Sequence, residues 1–258
     1  MPIPTAQVEK FKEYFGDYTN QYVFIGGTAC DILMEELGVP FRATKDLDIV
    51  LIIEVINASF GDTFWKFIED GGYEYREKSK GMEQFYRFQK PTHAGYPKMI
   101  EIFSRKPQTF ELKFESGLTP IHIEESIASL SAILLNTVYY DALLKSKRTV
   151  DGYSVLEIET MILFKIKAWI DMKEKLEKGE PIDSKNVKKH KNDIFRLLAN
   201  VLPSAKVEVD AEIMADVRLF LKMIDKDRPD LQNLGIKNVG FDKMFSLLKN
   251  LYLNMSIK

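Results

Sequence analysis

The stretch from Phe24 to Leu51, FIGGTACDILMEELGVPFRATKDLDIVL, constrains this chain more than any other. A short apolar strand, Tyr22-Val23-Phe24-Ile25, runs straight into Gly26-Gly27. Adjacent glycines let a backbone turn where a side chain would clash, and a helix starting there offers amides to an anion. A helix from about Thr28 to Leu37 follows, ended by Gly38-Val39-Pro40, since glycine caps a helix and proline cannot continue it. Asp46-Leu47-Asp48 then opens a second strand that runs to Ile53. Strand alternation puts both carboxylates on one face, about 6.6 Å apart along the chain. Like charges at that spacing repel by roughly 3 kcal/mol at an effective dielectric near 20, and a divalent cation would relieve them. An anion-binding turn beside a cation site predicts a phosphoryl-transfer centre.

The rest of the chain divides into two textures. Thr5–Phe15 reads as an amphipathic helix with Val8, Phe11, Tyr14 and Phe15 on one side. Phe60–Asp70 is a second helix, stopped by Gly71-Gly72. Tyr73–Lys78 and Gln84–Gln89 read as a strand pair about Gly81, and Lys98–Phe103 as a further strand. Thr119–Ile123 reads as a strand, and Leu130–Leu135 fits a strand or a helix. Beyond Asn136 helices dominate: Leu156–Leu176, Ser184–Leu202, Ala211–Ile224 and about Phe241–Leu253. Asp183 or Ser184 suits an N-cap. The expected architecture is α/β of the α+β kind: a mixed sheet with helices over residues 1–135, then a helical domain over 136–258.

Composition narrows the class of partner. A net charge of −2 leaves no overall basic field to advertise nucleic acid. Within Lys145–Arg196, however, 13 Lys and Arg face 9 Asp and Glu, a balance compatible with an anionic partner. The single cysteine, Cys30, excludes an intramolecular disulfide and reads as a small packed residue. Charges in MPIPTAQVEKFKEYF stand where a signal peptide needs an apolar core. The longest uncharged run, Ser126–Tyr140, has 15 residues and several polar ones, too few and too wet for a membrane span. A cytoplasmic protein without a membrane partner is expected.

Gly26-Gly27-Thr28-Ala29, Arg42-x-Thr44 and Asp46-Leu47-Asp48 together resemble the signature of nucleotidyltransferases of the DNA polymerase beta superfamily. Within it the likeness is greatest to the nucleotidyltransferase-like toxins of bacterial abortive-infection systems, the AbiEii type. It covers about residues 20–105 and, more weakly, 155–200. The resemblance implies a Mg²⁺- or Mn²⁺-dependent transfer of NMP from an NTP to a hydroxyl. RNA such as tRNA, a protein or a small molecule would be the acceptor, and an antitoxin protein a partner. It implies that Asp46 and Asp48 hold the metal and that Gly26, Gly27 and Thr28 hold the triphosphate. Arg42 would clamp a phosphate or hold the aspartates in place, with Thr44 beside it.

The resemblance also asks for a third carboxylate on a neighbouring strand, and Glu101 in Met99-Ile100-Glu101-Ile102-Phe103 fits best, ahead of Glu54 and Glu111. Its role would be to complete the metal site and help activate the attacking hydroxyl. In the helical half, Lys165 falls on an apolar stripe with Ile158, Met161, Ile162 and Trp169, whereas Lys167 points the opposite way. A lysine on a buried stripe either snorkels to the edge or meets an anion. Lys165-Ile166-Lys167-Ala168 matches a family motif whose lysine faces the nucleotide pocket. Lys189 and Asp193 match a later basic-then-acidic motif, and at i,i+4 they also suit a plain surface salt bridge. His190, beside Val187, Ile194 and Leu197, reads as a packed histidine. A catalytically silent member of the fold, binding nucleotide or a partner protein, is the alternative to an enzyme.

Overall fold

The computed structural model describes residues 6–38, 46–52, 54–74, 85–103 and 136–253. They form a mixed α/β protein of two compact units, and the first contains a six-stranded mixed sheet. Its strands are β1 (Tyr22–Ile25), β2 (Asp46–Leu51), β3 (Phe85–Gln89), β4 (Met99–Phe103), β5 (Lys147–Val150) and β6 (Tyr153–Leu156). They lie in the order β3-β4-β2-β1-β6-β5. The β2–β4 and β1–β6 pairs are parallel, and the other three are antiparallel. Among the described residues this unit also has helices α1 (Ala6–Phe15), α2 (Gly26–Glu36) and α3 (Ala58–Gly71) and a short 3₁₀ turn, Gly16–Tyr18.

One face of the sheet is apolar for a simple reason of parity. Alternate residues share a face, and in-register neighbours carry that face across strands. Phe24, Ile49 and Ile102 form one such row, and Leu47, Ile100 and Phe88 another. Aromatic rings of α1 and α3 cover it. Phe11 lies 5.0 Å from Phe24 and 5.7 Å from Phe67, and Phe64 lies 5.3 Å from Phe88, all ring centroid to centroid. Such pairs add about 0.5–1.5 kcal/mol each beyond the burial of their area. Helix α3 starts where the Asn57 side chain accepts the Phe60 amide at 2.9 Å, and ends at Gly72 with φ +61°. Glycine takes that left-handed conformation with no Cβ penalty.

The hairpin β5–β6 departs from the expected division at residue 135. Ser146–Glu157 belongs to the first unit, with β6 lying parallel to β1. Its turn, Asp151-Gly152, has φ +48° and +80°, the two positive values a two-residue hairpin turn of type I′ requires. The expected strand at Tyr73–Lys78 is described only through Glu74, which bridges Gln89. The expected elements at 119–123 and 130–135 lie outside the described residues.

The second unit contains α4 (Thr137–Ser146, with Lys145 its last residue in this unit), α5 (Ile158–Glu177), α6 (Ser184–Leu198), α7 (Ala211–Ile224) and α8 (Phe241–Leu253). Helix α5 is its centre, packing against α6 and α7 with Trp169 fully buried and stacked edge-on to Phe220 at 5.1 Å. Helix α6 opens at Asp183, whose carboxylate accepts the Lys185 amide at 2.8 Å, and closes at Leu198, short of the Leu202 expected.

Candidate active site

On the face opposite the aromatic layer, Ile25, Asp48, Glu101 and Arg87 are successive register partners across β1, β2, β4 and β3. Asp46, Met99 and Gln89 make the next row. Neighbouring strands lie about 4.8 Å apart, so Asp48 and Glu101 rise side by side from the sheet. Asp46 and Asp48 are half-buried and Glu101 is buried.

The glycine turn abuts this row directly. Helix α2 begins at Gly26, two residues earlier than the sequence pattern predicts, and Gly26 has φ +64°. A Cβ added there would fall 1.9 Å from Asp48 Oδ2. The backbone at the helix start therefore stands against a carboxylate with no room between them for a side chain. Ile25 in the N-cap position supplies no side-chain cap. Thr28 is fully buried, and its hydroxyl donates to the Asp46 carbonyl at 2.7 Å. Its hydroxyl thus ties α2 to β2, where the resemblance implies a phosphate contact.

Glu101 is held by Arg87. The guanidinium Nε donates to Glu101 Oε1 at 2.8 Å, and Nη2 reaches the same oxygen at 2.8 Å. Arg87 is a residue the sequence pattern misses, although a lone charge in Phe85-Tyr86-Arg87-Phe88 is itself a signal. Glu54 is exposed, while Glu111, Arg42 and Thr44 lie outside the described residues.

Among the described residues no three His, Cys, Asp or Glu form a group that could hold a metal ion. Mg²⁺ seldom needs one. It is ordinarily bound by one or two carboxylates, with water and substrate phosphates filling the remaining positions. Asp46 and Asp48, on one face and two residues apart, fit that mode, with the α2 N-terminus beside them for the phosphates.

In the second unit Lys165 is 7% exposed and donates to Asp193 Oδ2 at 3.0 Å. Asp193, 1% exposed, also meets Arg196 Nη1 at 3.3 Å. The anion expected for a stripe lysine is thus a side chain on the neighbouring helix. Lys189 is exposed and makes no ion pair among the described residues, so the i,i+4 bridge with Asp193 does not form. Lys167 does not point to an empty outer face either. It is half-buried between Asp171 at 3.3 Å and Asp216 at 3.5 Å. Burial pulls its pKa down, yet the two carboxylates leave it above its ordinary value.

No family model and no curated protein matches the chain. Among the described residues no helix is long and apolar enough to cross a membrane.

Proposed function

We propose that the chain is a nucleotidyltransferase that moves NMP from an NTP to a hydroxyl acceptor. The observation that carries this reading is the approach of Gly26 to Asp48. It sets helix-start amides, suited to phosphate, against a carboxylate pair suited to a divalent cation. Asp46 and Asp48 would hold Mg²⁺ or Mn²⁺, which when bound neutralises phosphate charge and polarises the α-phosphoryl group. The amides of Gly26 and Gly27 would orient the triphosphate. Thr28, through the Asp46 carbonyl, fixes the strand that carries both aspartates.

In the transfer itself, the acceptor hydroxyl oxygen bonds to the α-phosphorus while the bond from that phosphorus to the bridging oxygen breaks. Pyrophosphate leaves with the electron pair. The hydroxyl proton passes to the Glu101 carboxylate, whose Oε1 is fixed in place by Arg87. That same clamp favours a second reading, a silent fold that binds nucleotide without transferring it.

One experiment separates the two. Purified protein is offered each α-labelled NTP with total cell RNA, with protein and with small hydroxyl compounds, and label transfer is followed beside NTP binding. Transfer by the wild type that Asp48→Asn abolishes, with the fold intact, is the expected result. NTP binding without any transfer, unchanged in Glu101→Gln, would establish the silent fold.

A further inference from the structure

Beyond Asp46, on the β3–β4 side of the sheet, lies a pocket of about 470 Å³. Asp46 and Met99 line it together with Lys90, His93, Tyr96 and Lys98 from the turn between β3 and β4. Its size suits one small molecule of roughly nucleotide dimensions. Glycines 26 and 27 stand at the end of β1, so the pocket and the proposed phosphate turn lie on opposite sides of β2. An in-line displacement puts the attacking and leaving oxygens on opposite sides of the phosphorus, so a separate seat for each is compatible with one.

The turn is braced. Tyr73 Oη donates to the Pro97 carbonyl at 2.6 Å, and the Thr92 amide donates to the carbonyls of Gly71 and Gly72 at 3.1 and 3.2 Å. Tyr14 Oη donates to Asp70 Oδ2 at 2.6 Å and lies 3.1 Å from Tyr96 Oη. Lys90 sits at φ +54°, in the left-handed region. A non-glycine residue keeps that conformation only where its surroundings impose it, and such residues concentrate at binding sites.

The polar groups are of two kinds. Lys98 is exposed and makes no ion pair among the described residues, and Lys90 shares its ammonium with the exposed Glu74 at 3.1 Å. Both ammonium groups suit a phosphate. His93 Nδ1 lies 2.5 Å from the Asp70 carbonyl, which can only accept, so Nδ1 donates there. The imidazole suits a hydroxyl at the edge of the pocket that meets Asp46.

We propose that this pocket is the acceptor subsite and that it seats a hydroxyl-bearing phosphate ester of nucleotide size, with Lys98 and Lys90 on its phosphate. The assignment as acceptor rests on the nucleotidyl-transfer reading above. The ester is either a free nucleotide or the end of a nucleic acid chain. Its hydroxyl oxygen forms the new bond to the α-phosphorus, and pyrophosphate departs toward Gly26.

Calorimetric titration of the full chain tests it. The probes are a 5′-mononucleotide, the matching nucleoside, a short oligoribonucleotide with a free 3′-hydroxyl, and a magnesium complex of an α,β-methylene NTP analogue. The mononucleotide should bind protein already saturated with the analogue, and the nucleoside far more weakly. Lys98→Glu should weaken mononucleotide binding by about tenfold or more, as for a charge-assisted contact, while analogue affinity moves less than about twofold. Ala94→Trp, at an exposed position on the pocket wall, should do the same by filling the space. An oligoribonucleotide that binds more tightly, with the same dependence on Lys98, assigns the subsite to chain ends. Equal affinity assigns it to free nucleotides. Mononucleotide binding indifferent to both substitutions, or displaced completely by the analogue, overturns the subsite and leaves the transfer reading standing. Failure of the wild type to bind the analogue overturns the transfer reading, and the acceptor role falls with it.

Discussion

Gly26 and Asp48 contest the same space: a Cβ on Gly26 would lie 1.9 Å from Asp48 Oδ2. Gly26 also holds φ +64°. Two separate physical demands therefore fall on one residue, a left-handed backbone and the absence of a side chain. Gly26→Ala should cost about 3 kcal/mol or more, with about 1–2 kcal/mol of it from the backbone alone. In an Asp48→Gly background the same change should cost only the backbone part, about 1–2 kcal/mol. Urea denaturation of the four proteins of this cycle measures the difference. Equal costs in the two backgrounds would mean that Asp48 moves aside freely.

Lys165 and Asp193 form a buried pair, and removing the ammonium takes a charge-assisted hydrogen bond from a carboxylate that keeps Arg196 at 3.3 Å. Lys165→Met should destabilise by about 1.5–3 kcal/mol, as for the loss of a hydrogen bond to a charged group. Replacing both, as Lys165→Met with Asp193→Leu, should cost less than the sum of the single changes. Lys189→Met, at an exposed position, should stay within about 0.5 kcal/mol of wild type. Thermal and urea unfolding decide it, and a Lys165→Met protein as stable as wild type would refute the pairing as a structural element.

Asp227 gives a pH dependence of known sign. Burial raises its pKa, but hydrogen bonds from Lys191 at 2.6 Å and Lys173 at 3.0 Å outweigh that and hold it below the ordinary 3.8. A carboxylate depressed on folding stabilises above its unfolded pKa, and that contribution disappears as pH falls through the folded value. The pair is partly exposed, so Asp227→Asn should cost only about 1 kcal/mol at neutral pH. The gap between variant and wild type should close as pH drops below 3.8. Denaturant titrations at neutral and acid pH would detect it; a gap that widens in acid would contradict the sign.

How much of this was legible in the sequence depended on distance along the chain. The glycine turn, the helix after it and the strand opening at Asp46 are local, set by backbone freedom and two-residue alternation. They appear in the structure within about two residues of where the pattern predicts. Glu101 could be placed on a strand, but its hold by Arg87 depends on the register of β3 with β4, which no local pattern fixes. Lys165 could be placed on a buried stripe, whereas Asp193 stands 28 residues further on, on another helix. The β5–β6 hairpin interrupts the helical texture expected beyond Asn136, although it carries a local signal of its own. Asp-Gly between short alternating runs is a strong turn signal, masked here by the lysines and arginine that give residues 145–148 a helical texture. The pocket beyond Asp46 had no such signal, because its wall comes from a turn whose shape is imposed by Gly71, Tyr73 and Tyr14.

The parallel pairing of β6 with β1 also bears on the order in which the protein can be made. Strand β1 is complete by Ile25, yet the neighbour that covers one of its edges ends at Leu156. A growing chain must carry that open edge, with its unpaired amides and carbonyls, while some 130 further residues emerge at about 5–20 per second. That is a window of seconds in which another strand can pair there. A chain ended at residue 135 would never close it. The sheet bearing Asp46 and Asp48 is thus finished late, by a hairpin borrowed from far along the sequence.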